Sequence, residues 1–158
     1  LSRIAVTNPR CLAIIICARR VAKERGESNL ANARSVGYST KRKQWLPHSL
    51  GSILYVTEGT MIHLLDKSTF SHMLIDRVKE WTLEVDMLLL HLKTMLVAQP
   101  SLRVVLMSAT PDIDTFWDYF ASQLWCTVVE LTPSPYRISD YYIEDLPLLE
   151  NADWASPS

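Results

Sequence analysis

Glycine is scarce in this chain, with four residues in 158, against about 7% in average proteins. Few glycines leave few places where bare backbone can cradle a phosphate. The string G-x-x-x-x-G-K-[ST], which wraps the phosphates of a bound nucleotide, does not occur. Cysteine is nearly as rare: Cys11, Cys17 and Cys126, with no CxxC spacing. An odd, sparse count fits a reduced intracellular protein better than a disulfide scaffold, with cytoplasm and nucleus equally open. No Asn begins an Asn-x-Ser/Thr acceptor, and no signal-peptide pattern opens the chain. The longest apolar run, around Leu12 to Ala18, is far short of the roughly 20 residues a membrane span needs. His48, His63, His72 and His91 show no metal-ligand spacing, so no metal site is expected from them. There is no G-x-S-x-G elbow and no internal repeat. The chain opens on Leu1 rather than Met, one residue before an apparent strand, which points to a fragment.

What remains is a globular composition, 48% hydrophobic and 21% charged, enough for one domain with a real core. The net charge of −1 hides an asymmetry. Residues 1–43 carry ten Lys/Arg against Glu24 and Glu27, a net of +8, and the rest carries −9. Such a division serves an anionic partner on one face, or the two regions pair within the fold. The basic, aromatic stretch Lys41-Arg42-Lys43-Gln44-Trp45 is either a solvated loop or a place for single-stranded RNA to stack.

Apolar β-rich runs alternate with helical patterns. Arg3–Thr7 reads as a strand closed by Asn8-Pro9, and residues 11–25 as a helix with a buried first half and Gly26 at its end. Residues 27–51 are polar and read as loop, with a short strand near Ser35–Ser39. Ile53–Val56, His72–Asp76 and Arg103–Met107 are further strands. Helices are expected from Thr57 to Leu65, from Leu83 to Ala98, and after Pro111, the last with Ile113, Phe116, Trp117 and Phe120 inward. Thr127–Leu131 and Ile138–Ile143 read as two more strands, and the tail from Leu146 as loose. This alternation means βα units and a mostly parallel sheet covered on both faces. Ligands in such sheets sit off the carboxyl ends of the strands. That places Thr7–Arg10, Thr57–Gly59, Asp76–Glu80 and Ser108–Thr110 along one edge.

In order and approximate spacing, these segments resemble the first RecA-like domain of DEAH-box RNA helicases, from about Arg3 to Asp145. Val6-Thr7-Asn8-Pro9-Arg10 with Arg20-Val21-Ala22 looks like that family's motif Ia and its helix. Tyr55-Val56-Thr57-Glu58-Gly59 is similar to motif Ib, and Leu106-Met107-Ser108-Ala109-Thr110 to motif III. Ser71 to Glu80 stands where the family carries its Asp-Glu-x-His box, and Tyr141 to Asp145 completes the set. The resemblance implies an α/β, RecA-like three-layer sandwich of the P-loop NTPase type, lacking the phosphate-loop strand. Residues 1–145 would form a partial ATP-binding domain and 146–158 a tail or the start of a linker. It implies ATP and Mg²⁺ as cofactors, and single-stranded RNA as partner through backbone contacts at Thr7, Arg10, Thr57 and Gly59. Coupling would run through Ser108 and Thr110, and a second RecA-like domain or another protein chain would complete the site. For Arg10 the plain alternative is a salt bridge, and for Thr57, Ser108 and Thr110 a helix cap.

The chain also departs from the family. Its box reads Asp76-Arg77-Val78-Lys79. Asp76 keeps the position of the Mg²⁺ ligand, but Arg77 replaces the glutamate that takes a proton from water, and an arginine cannot accept one. Lys79 replaces the histidine, Trp81 an arginine, and Cys11 the second arginine of motif Ia. The sequence therefore predicts a fragment or degenerate form of an RNA helicase that does not hydrolyse ATP alone, or a non-catalytic RNA-binding or protein-interaction module.

Overall fold

The computed structural model describes residues 3–27, 35–48, 51–109, 113–121, 124–131 and 142. The elements run β1 (Ile4–Thr7), α1 (Cys11–Glu24), β2 (Val36–Ser39), β3 (Gln44–Trp45), β4 (Ile53–Val56), α2 (Glu58–Leu65) and β5 (His72–Asp76). A 3-10 turn (Val78–Glu80), α3 (Leu83–Ala98), β6 (Arg103–Met107) and α4 (Ile113–Ala121) follow. The strands form one sheet in the order β3-β2-β4-β1-β5-β6, parallel except for the β2–β3 pair. β1 lies between β4 and β5, with Val6 opposite Tyr55 on one side and Leu74 on the other. The architecture is the α/β, mostly parallel one that the alternating pattern predicts.

The chain divides into two compact units, 1–126 and 127–158. In the second, the described residues 127–131 form no strand, and Val129 and Leu131 are exposed. The strand expected over Thr127–Leu131 is thus absent; an apolar run with no ladder partner leaves its backbone groups to water. The strand expected over Ile138–Ile143 lies outside the described residues, apart from Tyr142.

Register sorts the two sheet faces, because paired residues point the same way. Ala5, Leu54, Val56, Met73 and Ile75 face α2 and α3 and pack with Met61, Leu88 and Leu92 into the main core. The opposite face carries Val36, Tyr38, Tyr55, Val6, Leu74 and Val105 in successive pairings. Here α1 covers the β2–β4 side, through Ala18 and Ala22 against Val36. These small side chains let the helix lie close to the sheet. The first half of α1 is not buried as its apolar composition predicts: Ile14 is, but Leu12 and Ile16 are exposed. Ala18 and Ala22, with half-buried Val21 beside them, meet the sheet, and Leu12 and Ile16 lie on a side of the helix left to water. On the same face Val105, in edge strand β6, is 46% exposed.

Local chemistry sets the ends of the elements. α1 closes in a Schellman arrangement: Gly26, at φ +76°, donates to the Lys23 carbonyl, and the Glu27 N–H donates to Ala22. Gly37 in β2 is needed for a different reason. A Cβ there would collide with the Trp45 carbonyl and the Pro47 ring, which the short β3 brings against it. β3 itself is two exposed residues without a hydrophobic alternation, so the sequence reads it as loop. At α4, Phe120 is buried against Val85 and Leu89 with Phe116 beside it, whereas Trp117 is 41% exposed. The expected four-residue inward face is narrower, because the α3 surface it meets spans only the Phe116–Phe120 side.

Candidate nucleic-acid interface

Parallel register brings the strand ends together. Thr7 pairs with Val56 of β4 and Ile75 of β5, and Asp76 pairs with Met107 of β6. The segments that follow these residues therefore start side by side at the carboxyl edge of the sheet. Thr7, Arg10, Thr57, Gly59, Asp76 and Ser108 all sit there; Thr110 lies outside the described residues.

The turn after β1 is organised by Asn8. Its side-chain oxygen accepts from the Arg10 backbone N–H (2.9 Å), and its amide donates to Asp76 Oδ2 (2.7 Å). One short side chain thus shapes the entry to α1 and ties the β1 end to the β5 end. From the sequence Asn8 reads as a strand stop and as part of the motif Ia-like string, with no role of its own. Its place before a proline at a strand end is the signal for this turn role. Arg10 then projects outward, its side chain 65% exposed, with one guanidinium nitrogen 3.5 Å from Glu80 Oε1. That is the carboxylate bridge expected as its alternative role, in long and solvated form. Such pairs contribute about 0–1 kcal/mol and exchange readily for a phosphate. Thr7 is fully buried, and its Oγ1 is among the buried polar atoms without a hydrogen-bond partner. Its hydroxyl is not on the surface of this edge.

Thr57 occupies the N-cap position of α2, but its hydroxyl bonds Thr60 Oγ1 (2.8 Å) and no backbone N–H of the helix. The expected side-chain cap is therefore not made, and the positive end of α2 is left to other acceptors. Gly59 lies in the first turn. A Cβ there would stand 3.6 Å from Glu84 Cγ, an ordinary contact, so packing does not require glycine.

Glu58, between them, went unnoticed in the sequence, where it is only the middle of a Thr-x-Gly string. It is 3% exposed, and its Oε1 has no hydrogen-bond partner. Burial pushes its pKa up to about 7, against the pull of its own backbone N–H and helped by the charges of Glu80, Glu84 and Asp76. Below that pH the side chain is largely neutral and does not oppose an anion at the α2 N-terminus.

At the other half of the edge, β5 ends in Asp76 and the backbone turns sharply. Arg77 and Trp81 are both left-handed, at φ 60° and 45°, on either side of the 3-10 turn. Each such residue stores about 1–3 kcal/mol of strain. Arg77 donates to Glu80 Oε1 at 2.5 Å, so one carboxylate oxygen serves both Arg77 and Arg10. Ser108 is exposed at the end of β6.

ATP and Mg²⁺ do not fit the residues present. The phosphate-wrapping string does not occur in these 158 residues. Asp76 is already the acceptor of Asn8, and Arg77 stands next to it with a fixed positive charge.

No protein-family model matches the chain. Curated proteins do. It is 36% identical over 148 residues to the ATP-dependent DNA/RNA helicase DHX36 of Bos taurus, covering 91% of this chain and 14% of that protein. It is 36% identical to the putative ATP-dependent RNA helicase DHX57 of Homo sapiens (91% and 10%), and 34% identical to the ATP-dependent RNA helicase DHX30 of Gallus gallus (90% and 12%). The chain is related by sequence to the DEAH-box helicases. Its fold matches the crystal structure of the DEAH/RHA helicase HrpB of Escherichia coli, with a TM-score of 0.64 at 23% identity over 77% of this chain and 16% of that one. The RecA-like fold expected from the resemblance is therefore present. The chain spans about a tenth to a seventh of the length of these curated relatives. Among the described residues, no helix is long and apolar enough to cross a membrane.

Proposed function

We propose that this chain is a degenerate segment of an RNA helicase whose remaining activity is to hold the backbone of single-stranded RNA. The observation that carries the reading is the β1–β4 end of the carboxyl edge. There the exposed Arg10 guanidinium stands on the same edge as the α2 N-terminus, whose cap residue leaves the backbone N–H groups unbonded by its side chain. A planar fork and a helix N-terminus both suit phosphate oxygens. Neither reads bases, so binding is blind to sequence.

ATP hydrolysis is not part of the proposal for this chain alone. The residue after Asp76 would have to accept a proton from water, and Arg77 is permanently protonated and bonded to Glu80.

The test uses the full chain. Fluorescence anisotropy with labelled decauridylate should show weak, salt-sensitive binding, lowered about tenfold by Arg10→Ala. Phosphate release from Mg-ATP should stay at the rate without protein. Binding that ignores Arg10→Ala would remove the RNA reading. Turnover that disappears with Asp76→Ala would remove the claim of inactivity.

A second reading, a protein-interaction module, is favoured by β6. Its run Arg103-Val104-Val105-Leu106-Met107 is apolar without alternation, yet among the described residues the strand stands at the sheet edge. Strands of that composition are ordinarily paired on both sides, and an open apolar edge is a template for another strand.

A further inference from the structure

Beyond the 3-10 turn that follows β5, a cleft of about 290 Å³ opens between the start of α3 and the side of α4, lined by Trp81, Asp86, Leu89, Thr115, Phe116 and Tyr119. Three of the six are aromatic and one is a carboxylate. The Trp81 ring lies parallel to Phe116, with centroids 5.4 Å apart and planes within 7°. The Trp81 backbone is left-handed, and the residue remains 49% exposed. Phe116 covers one face of the ring, and the strained backbone leaves half of this bulky residue's surface in water. Such outliers cluster at binding sites.

The electrostatics select the occupant. The described residues of α3 and α4 carry Glu84, Asp86, Asp114 and Asp118 against one lysine, Lys93, and the turn before Trp81 adds Arg77 and Lys79 with Glu80, so acids still outnumber bases around the cleft. That lysine is already engaged: its Nζ sits 4.1 Å from the centre of the Tyr119 ring and donates to the Tyr119 carbonyl. A wall of the cleft thus holds a cation over an aromatic face. Asp86 has no ion pair among the described residues. An RNA base could stack on Trp81, but its phosphates would meet this acidic surface, which disfavours it.

We propose that the cleft receives an arginine side chain of a partner protein, its guanidinium over the Trp81 ring and against the Asp86 carboxylate. The planar, weakly hydrated guanidinium suits both contacts, stacking on the ring while its N–H groups meet the two carboxylate oxygens. The guanidinium would take the face of the Trp81 ring that Phe116 does not cover, with its methylene stem along the apolar wall of the cleft.

The experiment follows the Trp81 indole N–H by ¹H–¹⁵N NMR in the full chain, its peak assigned with Trp81→Phe. The probes are N-acetyl-arginine amide and its uncharged isostere, N-acetyl-citrulline amide. The arginine probe should shift the indole signal saturably, with a midpoint on the order of millimolar. Asp86→Asn should weaken it about fivefold, and citrulline should have no saturable effect. Equal responses to the two probes, which need no variant to compare, would overturn the proposal. So would an Asp86→Asn titration unchanged from wild type. Saturation by decauridylate with no response to arginine would reassign the cleft to nucleic acid.

Discussion

The two halves of the sheet's carboxyl edge are built by the same βα geometry and differ in what their charges are free to do. At the β1–β4 half, Arg10 is solvated and loosely bridged, and the first turn of α2 holds its acid, Glu58, buried with its pKa pushed up to about 7. At the β5–β6 half, Asp76 is bound by Asn8, and Arg77 is bound by Glu80 within a strained turn. One half keeps donors available for an anion. At the other the groups are engaged, Asp76 by the Asn8 amide of the β1 turn and Arg77 by Glu80. The two halves are cross-linked, by Asn8 to Asp76 and by the Glu80 carboxylate shared between Arg10 and Arg77, and the comparison teaches that within this link Arg10 keeps the more solvated and more loosely held guanidinium.

The largest expected effect concerns Glu58. Its pKa is raised in the fold, so the folded chain holds a proton that the unfolded chain releases above about pH 4.5. The stabilisation is complete below that pH, declines as pH rises to about 7, and is gone above it. Glu58→Gln should remove this slope and leave the variant more stable than wild type by about 3 kcal/mol near pH 8. Urea denaturation at a series of pH values checks this, and parallel wild-type and variant curves would refute it.

Gly59→Ala should separate fold from function at the same turn. The added Cβ meets only ordinary contact, and alanine favours a helix by about 1 kcal/mol, so thermal stability should hold or rise. Decauridylate affinity should fall severalfold if backbone approaches phosphate here. Loss of stability with affinity unchanged would make Gly59 a folding residue. The smallest effect is expected from Glu80→Gln. It frees Arg10 and Arg77 from their shared carboxylate, and RNA affinity should rise about two- to threefold at low salt. A fall in affinity would mean that the bridge positions Arg10 rather than occupying it.

Much of this edge was legible in the sequence. Apolar runs ending in polar residues marked β1, β4, β5 and β6, and the ordered motifs placed Arg10, Thr57 and Asp76 at their ends before any register was known. Three kinds of feature were not legible. The burial of Thr7 and Glu58 depends on which neighbours close over a strand end, and local residue types do not carry that. The left-handed backbone at Arg77 and Trp81 has no residue signature, since neither is Gly, Asn or Asp. The exposure of Leu12 and Ile16 follows from how little of α1 meets the sheet, whereas an apolar count assumes that something covers every apolar side. Thr127–Leu131 failed for a related reason: β-rich composition proposes a strand, and only a partner makes one.

The most direct test of the account sets the two arginines against each other. Decauridylate anisotropy would be measured for wild type, Arg10→Ala and Arg77→Gln between about 50 and 200 mM salt. The account predicts that Arg10→Ala lowers affinity about tenfold and reduces the salt slope by about one, while Arg77→Gln leaves both unchanged. Equal losses from the two variants, or none from Arg10→Ala, would contradict it.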